Sequence, residues 1–334
     1  MRFLLDADQR AFAGSLHAML TAADTPAVIR DWSRGDHARG RALWSRIAEA
    51  GVFGLAVPEE HGGLGPRPVE LTVAFVELGR HAVPGPLAET VGAAVLLGEP
   101  PLAKRFLPGL ADGTDLATVA APGGYAVDGD AATLRLSPAP GGLYLGTAAP
   151  GPVRRSLDPA RRLTALAPAG ELLAPAVPYD RALTWIRLAT AAQALGVGLA
   201  LLDRTVAHVR RRTQFGVPIG SFQAVKHRLA DAMTALEFAR PLLFGAAVSL
   251  RPAEVAAAKL SACEAAYRTA RTALHLHGAI GYTAEYDLSL WLTKARALRA
   301  AWGTPQECRS LVLADGFREA VGGRAGEAGG VRGS

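Results

Sequence analysis

The chain has 334 residues, 50% of them apolar and 20% charged, a balance that excludes an intrinsically disordered protein and allows one large core or two to three domains. Its net charge of +6 arises from 36 Lys and Arg against 30 Asp and Glu. That excess is scattered, and only Arg210, Arg211 and Arg212 approach the concentrated basic face that nucleic-acid binding needs.

The opening MRFLLDADQR has no signal-peptide core, because Asp6 and Asp8 follow a three-residue apolar run. Helical periodicity then runs through Ala11, Leu16 and Leu20, through Leu43, Ile47 and Ala50, and through Leu71, Ala74, Phe75 and Leu78. A N-terminal helical domain over 1–115 is expected. From about Thr118 the texture changes to short β-prone fragments (YAVDGD, ATLRLS, GLYLGT, RLTALAP) between Gly and Pro, which predicts a short antiparallel β domain over 116–179.

Helical periodicity returns over 180–320. Leu188, Ala192, Leu195, Leu199, Leu202, Val206 and Val209 step by 4 and 3, a stripe suited to a helical bundle. Phe222, Val225, Leu229, Met233 and Leu236 form a second stripe, with Pro241 expected to kink or end its helix. A third helix follows Pro252, and residues 321–334 read as a Gly-rich disordered tail.

Several features exclude chemistries. Gly196 and Gly198 lack a preceding strand and a third glycine, so close helix packing is expected of them rather than dinucleotide binding, and there is no GxxxxGK[ST]. His275 and His277 would point about 200° apart on a helix, so a shared metal is not expected. The two cysteines, Cys263 and Cys308, form no disulfide framework. No uncharged apolar run reaches the roughly 18 residues of a membrane span. A cytoplasmic location is the expectation.

The segment RRTQFGVPIGSFQAVKHRLADA at 211–232 resembles the acyl-CoA dehydrogenase signature R-x-Q-F-G-x-P-I-x-x-F-Q-x-x-x-x-x-L-A-D. LHLHGAIGYTAEY resembles that family's Q-x-x-G-G-x-G-Y-x-x-E-Y, and VPEEHGGLG its V-P-E-E-x-G-G-x-G. The resemblance implies a mostly α fold with a small β domain, made of an N-terminal helical domain, a middle β unit and a C-terminal four-helix bundle. It also implies FAD as cofactor, with Arg212, Gln214, Phe215 and Gln223 meeting the pyrophosphate and adenosine end of an FAD held by the neighbouring subunit. By the same resemblance His275, Gly278, Ala279 and Thr304 face the cofactor and Arg187 the substrate, an acyl-CoA or acyl-carrier thioester. His275 and Ala279 replace the usual glutamine and second glycine.

The family's reaction removes a proton from the α carbon of the thioester, which requires a placed carboxylate. Its glutamate occupies one of two positions, and these fall on Trp302 and Ile186 in this chain. Without a general base worth roughly 10² to 10⁴ in rate, the chain alone lacks about 3–5 kcal/mol of transition-state stabilisation. The middle region, LATVAAPGGYAVDGD, also lacks the Thr-Glu and Ser-Asp of the family's ring-holding strand. This pattern resembles the shorter, non-catalytic partner in actinobacterial heteromeric acyl-CoA dehydrogenases, including those acting on steroid side-chain thioesters, and implies a paralogous subunit as partner. The rival readings are a self-sufficient flavoenzyme with a relocated base, Glu285 being nearest in sequence, and a non-enzymatic scaffold.

Overall fold

The computed structural model describes residues 4–121 and 123–327, with side chains through Gly316. Six helices come first: α1 Ala7–Thr21, α2 Thr25–Arg34, α3 Ala38–Glu49, α4 Pro68–Arg80, α5 Leu87–Leu96 and α6 Leu102–Ala111. Asp6 and Gln9 start α1 with reciprocal bonds, Asp6 Oδ1 accepting from the Gln9 amide at 2.8 Å and Gln9 Oε1 from the Asp6 amide at 3.1 Å. Two otherwise unpaired amides of the first turn are thus satisfied. Pro68 opens α4, where its fixed φ suits the first turn.

Six short strands follow: β1 Ala117–Val119, β2 Tyr125–Val127, β3 Leu134–Ala139, β4 Gly142–Leu145, β5 Leu163–Ala165 and β6 Glu171–Ala174. They form a sheet of order β1-β3-β4-β6 and a separate β2-β5 pair. The expectation of a purely antiparallel unit needs one correction, since β1 pairs parallel with β3, Ala117 opposite Leu134. The chain crosses through β2, in the other sheet, before β3 returns in the direction of β1, so no tight hairpin joins them.

The helical remainder comprises α7 Tyr179–Arg211, α8 Gln223–Ser249, α9 Pro252–His277, α10 Leu288–Ala300 and α11 Pro305–Glu327, with a two-strand hairpin of β7 Thr213–Gln214 and β8 Val217–Pro218 between α7 and α8. Helix α7 is the centre of the molecule, packing on α4, α5, α9 and α10. It is long and apolar enough to cross a membrane, but 94% of its apolar 18-residue window is buried inside the fold, as suits a core helix. Its expected close packing is present: a Cβ on Gly196 would lie 1.9 Å from the Val76 carbonyl oxygen, and one on Gly79 2.2 Å from that of Gln193. Backbone meets backbone there, and only glycine permits it.

Helix α8 departs from its expected pattern. It continues through Pro241 to Ser249, and of its apolar stripe only Leu236 is buried, whereas Met233 is 56% exposed and Phe222 38%. Helix α11 continues past position 321 to Glu327, where a disordered tail was expected; residues 328–334 lie outside the described residues.

Candidate functional site

The residues singled out by sequence fall at the two ends of α7. Arg187 and Arg212 are 25 residues apart, about 37 Å along a helix axis. A single chain therefore does not bring them to one ligand.

At the far end, Arg212 caps α7, its amide donating to the His208 carbonyl at 2.9 Å. The chain then turns through the β7–β8 hairpin, with Phe215 at φ 52° and Gly216 at φ 77° at its tip. Left-handed backbone is ordinary for glycine and unusual for phenylalanine. Phe215 is also 92% exposed, and its ring meets that of Phe222 edge-on with centroids 6.3 Å apart. Gln214 and Gln223 flank this pair and are exposed. An exposed aromatic held in an unfavourable conformation beside free guanidinium and amide groups is a surface suited to an anionic aromatic ligand.

The end of α9 packs alongside. His277 stacks on His208 with centroids 4.0 Å apart, and its Nδ1 donates to the Ala273 carbonyl at 2.8 Å. Burial lowers the pKa of both rings, so the pair is held neutral. Gly278, at φ 62°, reverses the chain into the Gly278–Tyr282 turn that carries Ala279. His275, on the opposite face, is exposed and lines a groove of about 390 Å³ between α8 and α9 with Arg228, Arg268 and Arg271. Sequence reading missed these three arginines, although Arg228 stands inside the signature segment. Their convergence depends on two helices meeting, which no spacing reports.

At the near end, both expected base positions are packed shut. Ile186 is fully buried, and its Cδ1 fills the space where a Cβ on Gly92 would stand, 2.3 Å away. Trp302 is 8% exposed at φ 57°, and its indole Nε1 donates to Glu89 Oε1 at 2.8 Å. Glu89 itself is buried, 3.5 Å from the Arg161 guanidinium. Nearby, Lys294 donates to the Val83 carbonyl at 3.0 Å and lies 3.7 Å from Asp158. Arg187, expected to face substrate, donates from Nε to the Trp302 carbonyl at 2.8 Å, and Lys259 donates to that of Gly303 at 2.7 Å. Thr304 is occupied as a helix cap: its amide donates to Glu307 Oε2 at 2.6 Å and its Oγ1 accepts from the Glu307 amide at 3.2 Å. That bond lowers the Glu307 pKa. The carbonyls of Trp302 and Gly303 and the amide of Thr304 are therefore all bonded to side chains of the protein. Glu285 is exposed in the turn before α10, its carbonyl accepting from Arg30 at 3.2 Å.

A third feature lies in the β region. A cavity of about 640 Å³ is lined by Ala120, Ala121, Gly124, Ser137, Pro175 and Tyr179 among others. Ala120 and Ala121 stand in the segment where the resemblance predicts Thr and Glu. Its hydroxyls are those of Tyr179 and of Ser137, whose buried Oγ has no protein partner.

Comparison with known proteins identifies the family. Residues 6–114 match the acyl-CoA dehydrogenase N-terminal domain and residues 179–315 the C-terminal domain. The chain is 33% identical over 285 residues to the acyl-CoA dehydrogenase IpdE2 of Mycobacterium tuberculosis, covering 84% of this chain and 89% of that protein. It superposes on a variant of the Tcur3481-Tcur3483 steroid ACAD with a TM-score of 0.82 at 27% identity, over 93% of this chain and 99% of that one. For the ChsE4-ChsE5 complex from Mycobacterium tuberculosis the TM-score is 0.81 at 26% identity, over 96% and 99%. Mostly helical with a small set of strands, and matched over both its helical parts, the chain belongs to the acyl-CoA dehydrogenase family, whose members are oxidoreductases acting on CH–CH donors.

Proposed function

We propose that this chain is a subunit of a cytoplasmic FAD-dependent acyl-CoA dehydrogenase assembly that desaturates an acyl-CoA or acyl-carrier thioester, and that a paralogous subunit supplies the catalytic glutamate. The observation that carries the reading is the contrast between the two ends of α7. The near end, where a base would stand, is closed by Ile186 and by the Trp302–Glu89 pair; the far end presents Phe215 and Arg212 outward. Two structural neighbours whose names denote paired chains, Tcur3481-Tcur3483 and ChsE4-ChsE5, lend support.

In this reading Arg212 contacts FAD phosphate oxygens, Phe215 packs on the adenosine, and Gln214, Gln223 and His275 hydrogen-bond to it. Gly278 and Ala279 let backbone approach. When bound, FAD would supply hydride acceptance from the β carbon of the thioester. The partner holds the ring, because the cavity at β1 offers alanines where ring-binding hydroxyl and carboxylate groups would be needed. Arg187, which gives its Nε to the Trp302 carbonyl, would face the thioester with its remaining guanidinium nitrogens, and Thr304, which pairs with Glu307, would face the cofactor. The proposed divisions are 1–115, 116–179 and 180–320.

Glu89 is no substitute base: it is buried and bonded to the indole, so an α carbon has no route within reach of its oxygens. Co-expression with a longer paralogue carrying glutamate at either position should give a flavin-loaded heteromer that oxidises acyl-CoA. A purified lone chain that binds one FAD and oxidises acyl-CoA unaided would overturn the proposal.

A further inference from the structure

Away from both ends of α7, helices α1 and α4 aim three metal-ligating side chains at one point. His17 stands in the last turns of α1, whereas Glu77 and His81 are four residues apart along α4 and its cap, on one face. His17 Nδ1 lies 3.1 Å from Glu77 Oε2 and 3.1 Å from His81 Nε2, and the three ligand atoms all lie within 4.8 Å of one another. Two nitrogens held on one tetrahedral zinc at bond lengths of about 2.0–2.1 Å stand about 3.3–3.4 Å apart. The protein already holds them near that separation.

Proton counting shows that the three atoms are not a satisfied hydrogen-bond set. A ring nitrogen carries one proton or one lone pair. If His17 Nδ1 carries the proton, it can point along only one of its two 3.1 Å contacts. If it carries the lone pair and accepts from His81, the Glu77 oxygen faces that lone pair unpartnered. No protonation state makes both contacts good, whereas a cation among three lone pairs satisfies all three at once.

Three cations stand near the cluster, each engaged elsewhere: Arg80, 3.9 Å from Glu77, is held by Asp203 at 2.7 Å, Arg240 by Glu237 at 3.1 Å, and Arg204, whose charge acts on His81, lies over the Trp291 ring 3.7 Å from its centroid. The His17 side chain is 52% exposed, so water reaches a fourth position. We propose that His17, Glu77 and His81 bind one divalent transition-metal ion, Zn²⁺ by the softness of the ligands, with water completing the tetrahedron. The ion clamps the C-terminal end of α1 to α4, whose N-terminal ends are already joined by Gln9 donating to Glu70 at 3.0 Å.

The test uses the full chain with any tag removed, stripped by chelator and titrated calorimetrically with ZnCl₂, with Co²⁺ as a visible probe. One Zn²⁺ per chain, a higher melting temperature and Co²⁺ ligand-field bands of four-coordination are expected. His17→Ala, which removes a half-exposed side chain and leaves the fold intact, and Glu77→Gln should each weaken binding by at least about tenfold and abolish the Co²⁺ bands. Absence of saturable Zn²⁺ binding, or binding of equal strength in both variants, would overturn the proposal.

Discussion

Trp302→Phe tests the claim that the near end of α7 is closed by a specific polar pair rather than by apolar filling. The substitution keeps an aromatic ring and the left-handed backbone at position 302 but deletes the donor to Glu89. Glu89 Oε2 has no partner of its own, so losing the Oε1 bond leaves a buried carboxylate with only Arg161, 3.5 Å away. Orphaning a buried charged acceptor costs about 1–3 kcal/mol, and the smaller ring adds about 1 kcal/mol of lost packing. Together, about 2–4 kcal/mol over an m of about 3 kcal/mol/M lowers the urea midpoint by about 0.7–1.3 M. In a Glu89→Gln background the orphan is neutral, and the same change should cost about 1 kcal/mol less. The pair of urea curves is the assay, read with m constant. A Trp302→Phe loss below about 0.5 kcal/mol, or an equal loss in both backgrounds, refutes the reasoning, since surface-like positions give changes of that size.

Arg212→Ala should cut the flavin content of the co-purified heteromer at least about tenfold, the loss of one charge-assisted contact or more, while leaving the lone chain's melting temperature unchanged. Phe215→Gly should stabilise the lone chain by about 0.5–1 kcal/mol, because glycine adopts φ 52° freely, and still lower flavin content; thermal scans and flavin absorbance separate the two effects. Gly196→Ala drives a Cβ into the Val76 carbonyl and should cost about 1–3 kcal/mol or more in urea unfolding. Asp128 is fully buried, and burial pushes its pKa up to about 7. Its native form therefore holds a proton that the unfolded chain releases above about pH 4, so its contribution is full below that pH and is lost as pH rises towards 7. Asp128→Asn should remove a slope of up to about 1.4 kcal/mol per pH unit from the stability profile between those limits.

What could be read from the chain alone divides by range. Helices α7 and α9 were recognisable because helical spacing and helix-breaking residues act within a few positions. The parallel β1–β3 pairing was not, because β1 has only three residues and carries too little alternation to report direction. Positions 186 and 302 could be counted to, but the Trp302–Glu89 bond joins residues 213 apart, and His17 meets Glu77 across 60. Contacts of that kind are made by packing and leave no local mark.

Helix α8 shows where periodicity stops being informative even at short range. The stripes on α7 and α8 both step by 3 and 4 through apolar residues, so periodicity alone does not tell them apart. On α7 Leu188, Ala192 and Leu195 are indeed fully buried, whereas on α8 Met233 and Phe222 are open to solvent, and farther along the helix Phe238 is 71% exposed. An apolar stripe fixes which face of a helix seeks cover, and only the tertiary structure tells whether this chain provides it. Exposed apolar groups running from the α7–α8 hairpin along α8 exceed what isolated surface residues explain. They adjoin the groups assigned to the far end of FAD, so one partner seated on α8 would bury the stripe and bring its flavin to Arg212 and Phe215 in the same step. Cofactor binding and assembly are then one equilibrium, and Phe238→Lys, remote from the hairpin, should weaken both together.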